Sequence, residues 1–185
     1  HQIMMGELFS RLSEVAESSP HAWYPVKRSP EEIATATPSN RFVGWPYTKF
    51  MNAMNQINQS ASLLLTSIEK AEEMGVDPYR WVFLHGASDV TDVWNVSYRE
   101  NFYSSPSMKI MGENALNMAG LEINDIRHLD LYSCFPSAVQ IARNELGIPK
   151  DDQRHLTVTG GLPFHGGAGN NYVMNSIAAM ADKLR

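Results

Sequence analysis

The chain has 185 residues, 43% of them hydrophobic, and a formal net charge of -5. That is ample for a domain-sized core, and too acidic, without any Lys/Arg-rich block, for a nucleic acid to be the main partner. Its longest apolar runs, Leu63 to Leu65 and Trp81 to Leu84, fall far short of the ~20 residues a membrane span needs. With no signal-peptide pattern, a cytoplasmic location is expected. The single cysteine, Cys134, excludes an internal disulfide and a cysteine-cluster metal site. An opening on His1 that runs straight into helical periodicity reads as a trimmed or partial chain.

Ile3, Met4, Leu8, Leu12 and Val15 recur at helical spacing with Glu7, Arg11, Glu14 and Glu17 between them, which predicts an amphipathic helix ending before Pro20. From Ser18 to Tyr47 the chain is rich in Ser, Thr, Pro and aromatics. It reads as a long ordered excursion with one short helix near Pro30 to Ala34, either a lid or docking segment or a surface loop pinned by its aromatics. Thr48 to Gln56 is equally compatible with a short helix and an extended run. Ser60 to Leu65 predicts a buried strand. Thr66 and Glu69 then form a capping box for a helix over Ser67 to Met74, stopped by Gly75.

Trp81 to Gly86 predicts a second strand, followed by a polar loop to Tyr103. Ser105 and Pro106 open a helix whose buried stripe is Met108, Met111, Ala115 and Met118 and which Gly120 ends. Arg127 to Tyr132 is a third strand. The helix that Pro136 opens faces Val139, Ala142 and Leu146 inward and stops at Gly147. Leu156 to Thr159 is a fourth strand, and Asn171 to Leu184 the last helix, with Val173, Ile177, Met180 and Leu184 on its stripe. This alternation favours an α/β layered fold with a mostly parallel sheet and helices packed on it. Ligands of such sheets sit beyond the carboxyl ends of the strands, here His85 to Asp92, Tyr132 to Phe135 and Gly160 to Asn170.

The third of these loops carries the densest chemistry. Gly160, Gly161, Gly166, Gly167 and Gly169 permit positive φ and close approach of a ligand to main-chain N–H groups. The helix starting near Asn170 or Asn171 points its positive dipole end and unpaired amides into the same loop, suiting an anion or a developing oxyanion. His165 supplies the one side chain there able to trade a proton near neutrality. A tight turn with a surface histidine is the plainer alternative. His85 with Asp89 and Asp92 lacks a third metal ligand at tight spacing, so a solvated turn is favoured there and no metal is expected. His128 and His155 read as structural or exposed. The loop also lacks the lysine of a phosphate-binding loop and the G-x-G-x-x-G spacing of a dinucleotide site.

WVFLHG (Trp81 to Gly86), MAGLEINDI (Met118 to Ile126), DLYSCF (Asp130 to Phe135) and VTGGLPFHGGAGNN (Val158 to Asn171), in that order, resemble the C-terminal half of the thiolase superfamily, in its sterol-carrier-type and acetyl-CoA acetyltransferase-like branch. WPYTKFMNAMNQINQSASLLLTS (Trp45 to Ser67) resembles the run from the thiolase loop domain into the last strand of the N-terminal half. The resemblance implies a division into a loop-domain-like segment (1–59), a last strand and helix with linker (60–80) and a truncated C-terminal domain (81–185). It also implies an acyl-CoA acyltransferase of acetyl-CoA acetyltransferase type, working through a cysteine nucleophile with a histidine and an oxyanion hole. Tyr132 falls on the Asn-Glu-Ala-Phe-like motif where an Asn or His donor is expected. Gly160 and Gly161 match the paired glycines ahead of the Gly-His-Pro motif, whose last two positions carry Gly167 and Ala168, with His165 two residues early.

The expected site is accordingly His165 and Tyr132 as catalytic groups, with Gly160, Gly161, Gly166, Gly167 and Asn170 holding substrate. The nucleophilic cysteine lies outside this chain, and Cys134 matches neither thiolase cysteine. The expected ligand is acyl-CoA or CoA as substrate, with no further cofactor. The expected partner is a second copy or a complementary thiolase-like subunit. The alternative is a non-catalytic acyl-CoA-binding or lipid-binding protein, or a partner subunit.

Overall fold

The computed structural model describes residues 1–185. Helix α1 (Gln2–Ser18) is its hub: Met5, Phe9, Leu12 and Ala16, spaced at one face of a helix, are each at most 2% exposed. Of the predicted stripe, Leu12 is buried and Leu8 packs against the core, whereas Ile3 and Met4 are about half exposed. Both stripes have helical period, so only the partner surface could choose between them. That partner is α2 (Pro30–Ala34), started by a Ser29–Glu32 capping box. Gly6 lets α2 approach, since a Cβ there would lie 2.3 Å from the Pro30 carbonyl oxygen. The same face of α1 meets Leu129, Leu131, Val139, Leu156 and Phe164 in one hydrophobic core. Arg11 ties the helix to the later chain by donating to the carbonyl oxygens of Asp152, Gln153 and Arg154.

The sheet differs from expectation. Its two strands, β1 (Phe42–Gly44) and β2 (Tyr47–Thr48), are antiparallel and lie in the stretch read as a loop. The four segments predicted as strands run without a ladder. Between the third and fourth, the Leu131 N–H donates to the Leu156 carbonyl, which holds the two side by side. In the first two, Leu64, Leu65, Phe83 and Leu84 are more than half exposed. An apolar run becomes a buried strand only when a neighbour covers it and pairs with it, and neither partner is supplied here.

Helix α3 (Ile68–Glu73) is capped by Ser67, whose hydroxyl accepts from the Lys70 N–H, so the predicted Thr66–Glu69 box does not form. Helix α4 (Pro106–Ala119) starts and stops as its Ser105, Pro106 and Gly120 dictate, yet none of its residues is buried and Met118 is 67% exposed. Helix α5 (Pro136–Glu145) does bury Val139 and packs Ala142 on the core. Helix α6 (Tyr172–Leu184) reverses its predicted orientation: Val173, Ile177 and Leu184 face outward, and Tyr172 and Asn175 are the residues it buries. No helix is long and apolar enough to cross a membrane.

Candidate functional site

The site is built on Asp130, in the extended segment that leads to Tyr132. One oxygen of its carboxylate accepts from the Thr157 hydroxyl and the Val158 N–H, both at 2.9 Å, and the other accepts from the Tyr172 hydroxyl at 3.0 Å. These contacts fix every proton nearby. Tyr172 spends its proton on Asp130, so Thr159 donates to the Tyr172 oxygen across 2.8 Å, and Thr159 in turn accepts from the Gly161 N–H. Thr157, having donated to Asp130, accepts from the Gly160 and Thr159 N–H groups. Burial, with the Asp130 charge next in weight, raises the Tyr172 phenol far above its ordinary range, and Tyr172 stays a donor.

This network settles what the first glycines do. Gly160 and Gly161 are buried with positive φ, and a Cβ on them would run into Ala16 at 2.4 Å and into the Ser133 hydroxyl at 2.6 Å. They let the loop press against α1 and Ser133. Their amides are engaged by Thr157 and Thr159, the Leu162 N–H by Ser133 Oγ, and those of Phe164 and His165 by the Gly161 carbonyl. Gly167 is also buried and donates to the Met54 carbonyl, and a Cβ on it would come within 3.0 Å of Leu162. The amides of Gly166, Ala168, Gly169 and Asn170 make no hydrogen bond within the chain. They sit where a 3-10 turn over Gly169–Asn171 runs into α6, at the positive end of its dipole.

His165 is 3% exposed and neither ring nitrogen has a hydrogen-bond partner. Desolvation, only partly offset by Asp130, lowers its pKa below the ordinary imidazole value, so the ring is neutral at pH 7. The Thr159 backbone biases the ring toward its protonated form without reaching hydrogen-bond geometry. An unmet buried polar atom costs about 1–3 kcal/mol, and His165 carries two on one ring. The Tyr172 ring stands edge-on to both predicted catalytic groups, 6.0 Å from His165 and 5.8 Å from Tyr132. Tyr132 and His165 therefore share Tyr172 as a common neighbour. Tyr132 is 47% exposed.

Of the three loops expected to meet, 132–135 and 160–170 do, through Ser133. The third wall comes from elsewhere: Trp23 and Tyr24 donate their N–H groups to the His165 and Phe164 carbonyls, and Gln59 donates its side-chain amide to the His165 carbonyl. Asp92 of the 85–92 loop is engaged by Ser105 and Arg99. Asp130, Tyr172 and Gln59 join the site only through the tertiary structure. A lone carboxylate inside the apolar stretch HLDLY, facing threonines spaced two apart in TVT, was the available signal.

No family model and no curated protein matches the chain. Solved structures do. A monomeric SCP2-thiolase-like protein type 1 from Mycobacterium smegmatis is 36% identical and superposes with a TM-score of 0.86 over 98% of this chain and 40% of its own. The chain is thiolase-like. A chain of the Ltp2-ChsH2(DUF35) aldolase, 21% identical, superposes with a TM-score of 0.72 over 96% of this chain and 49% of its own, a likeness of fold. The thiolase-like chain thus spans less than half the length of either.

Within this thiolase-like frame Cys134 is half-buried, and burial raises its thiol above the ordinary value, which keeps it protonated.

Proposed function

We propose that this chain is the part of a thiolase-like acyl-CoA acyltransferase that binds the acyl-CoA thioester and holds its carbonyl oxygen, with the nucleophile supplied from outside these 185 residues. The observation that carries the reading is the row of unpaired amides at Gly166, Ala168, Gly169 and Asn170 ahead of α6, next to the buried neutral His165. Such donors cost no reorganisation when charge develops on a thioester oxygen. His165 accepts or returns the proton that a thiol or an α-carbon gives up, and Tyr132 donates its phenolic hydrogen from the exposed side. Gly160, Gly161 and Gly167 serve by shaping the cradle, and Asn170 by lending its amide. No cofactor beyond the coenzyme A thioester is invoked, and the setting is cytoplasmic.

A second reading, a non-catalytic acyl-CoA-binding or lipid-binding protein or partner subunit, is favoured by Tyr132 and Gly167 at the motif positions. The two-component Ltp2-ChsH2(DUF35) aldolase makes a complementary subunit worth seeking, and a second copy is the other candidate partner. Calorimetry with CoA and acetyl-CoA, joined to mass spectrometry for an acyl adduct on a longer protein that carries this sequence and its nucleophile, tests both. Binding with an adduct supports the transferase, and binding without one the second reading. No binding of either ligand refutes the transferase and the acyl-CoA-binding form of the second reading.

A further inference from the structure

We propose that the groove between the C-terminal ends of α1 and α6 is a second binding site, and that it takes a small molecule carrying phosphate groups. The proposal does not rest on the reading of His165. Two segments that lie side by side both begin Arg-His-Leu, one at Arg127 and one at Arg154. Leu129 and Leu156 go into the same core, and the Arg-His pair ahead of each lines one cavity of about 700 Å³. His21 and Lys183 line it as well, so three of the six histidines meet there. A volume of this order is that of a small-molecule site. Thr157 and Val158 also line the groove, and both already donate to Asp130, so it backs onto the candidate site without drawing on that site's donors.

The chain as a whole is acidic, at -5, and this groove runs against that balance. Its two carboxylates are already held, Glu14 by Lys27 at 2.6 Å and Asp182 by Arg185 at 3.3 Å. His155 adds a weaker pull on Glu14 behind the Lys27 contact. Arg154 is spent on Asp152 and on the Ile123 and Ile126 carbonyls. Arg127, Lys183, His21 and His128 are left with no carboxylate at ion-pair distance. The carbonyl end of α6 accounts for Lys183, which sits in its last turn. A helix dipole fades within a turn, and Arg127, His128 and His155 stand on neither helix. Uncommitted cations around a concave wall concentrate anions there. Donors from a guanidinium, an ammonium and imidazoles, spread around a cavity rather than set in one plane, suit the tetrahedral oxygens of phosphate.

Titration of the full chain with inorganic diphosphate at fixed ionic strength, followed by the imidazole C–H resonances of all six histidines, tests the site. His21, His128 and His155 should shift along one saturable curve while His85 stays. Arg127→Gln and Lys183→Gln, both at exposed positions, should each weaken binding about fivefold, the upper range for an exposed charge pair. Lys109→Gln, on α4 and outside the groove, should leave the affinity unchanged. No saturable shift, equal shifts of all six histidines, an unchanged affinity in both groove variants, or an equal loss from Lys109→Gln would each overturn the proposal. Coenzyme A, which carries a diphosphate of its own, identifies the source of the phosphate. If it moves the same three histidines and displaces diphosphate, the groove holds the phosphate end of the proposed substrate. If it does not, while diphosphate responds as stated, the groove serves another phosphorylated molecule. Should coenzyme A then fail to bind anywhere, the transferase reading falls and the groove stands.

Discussion

Tyr172→Phe isolates the network that positions the site, because it keeps the ring edge-on to His165 and Tyr132 and removes only the hydroxyl. That hydroxyl is buried, 3.0 Å from an Asp130 oxygen and 2.8 Å from Thr159 Oγ1. A hydrogen bond to a charged group contributes ~1.5–3 kcal/mol. Asp130 keeps two further donors on its other oxygen and is itself only half-buried, and Thr159 retains Thr157 at 3.2 Å. Both observations place the loss toward the lower end, about 2 kcal/mol. For a chain of this size, with a urea slope of roughly 2 kcal/mol per molar, the unfolding midpoint should fall by about 1 M with the slope unchanged. Asp130→Asn alone and combined with Tyr172→Phe completes a cycle, and a coupling of about 1 kcal/mol is expected from groups in direct contact. A midpoint within ~0.2 M of the parent's would mean that the hydroxyl contributes nothing net and that packing alone holds the loop, and strict additivity in the cycle would mean that it does not act through Asp130.

Ala168→Pro deletes one unpaired amide at a residue whose φ is already -67°. Stability should hold or rise by up to ~1 kcal/mol, while calorimetry shows weaker acyl-CoA binding. His165, with its folded pKa below the ordinary 6.5, contributes stability that is complete above that value and is lost as pH falls through the depressed folded pKa. His165→Gln should therefore flatten the stability profile of urea midpoints below pH 6.5, and an unchanged slope would show that the ring is not desolvated. Asp152, held at about 2 chiefly by the Arg154 guanidinium, acts in the same sense lower down: its contribution is whole above its ordinary 3.8 and goes as pH drops toward about 2. Asp152→Asn should remove that limb of an acid titration followed by circular dichroism.

Local punctuation was legible in the residues themselves. Ser105 and Pro106 ahead of α4, Gly120 and Gly147 at helix ends, and the turn of helix at Pro30 all act over a few residues, through a cap or a φ preference that needs no distant partner. The glycine loop running into α6 was visible for the same reason. Which face of a helix is buried is a different kind of question, because period constrains the spacing of a stripe and leaves its partner open. α1 and α6 carry apolar residues on more than one face, and contact with α2 and with Asp130 decided which side went in.

The same holds for the site. Composition and motif order brought out His165, Tyr132 and the thiolase-like resemblance. Only the tertiary structure pressed Gly160 and Gly161 against Ala16 and Ser133, set the Tyr172 ring edge-on to both expected catalytic groups, and brought Gln59 across 106 residues of sequence to the His165 carbonyl. Hydrogen-bond partners and desolvation belong to groups distant along the chain, and no local pattern of residues encodes the distance between them.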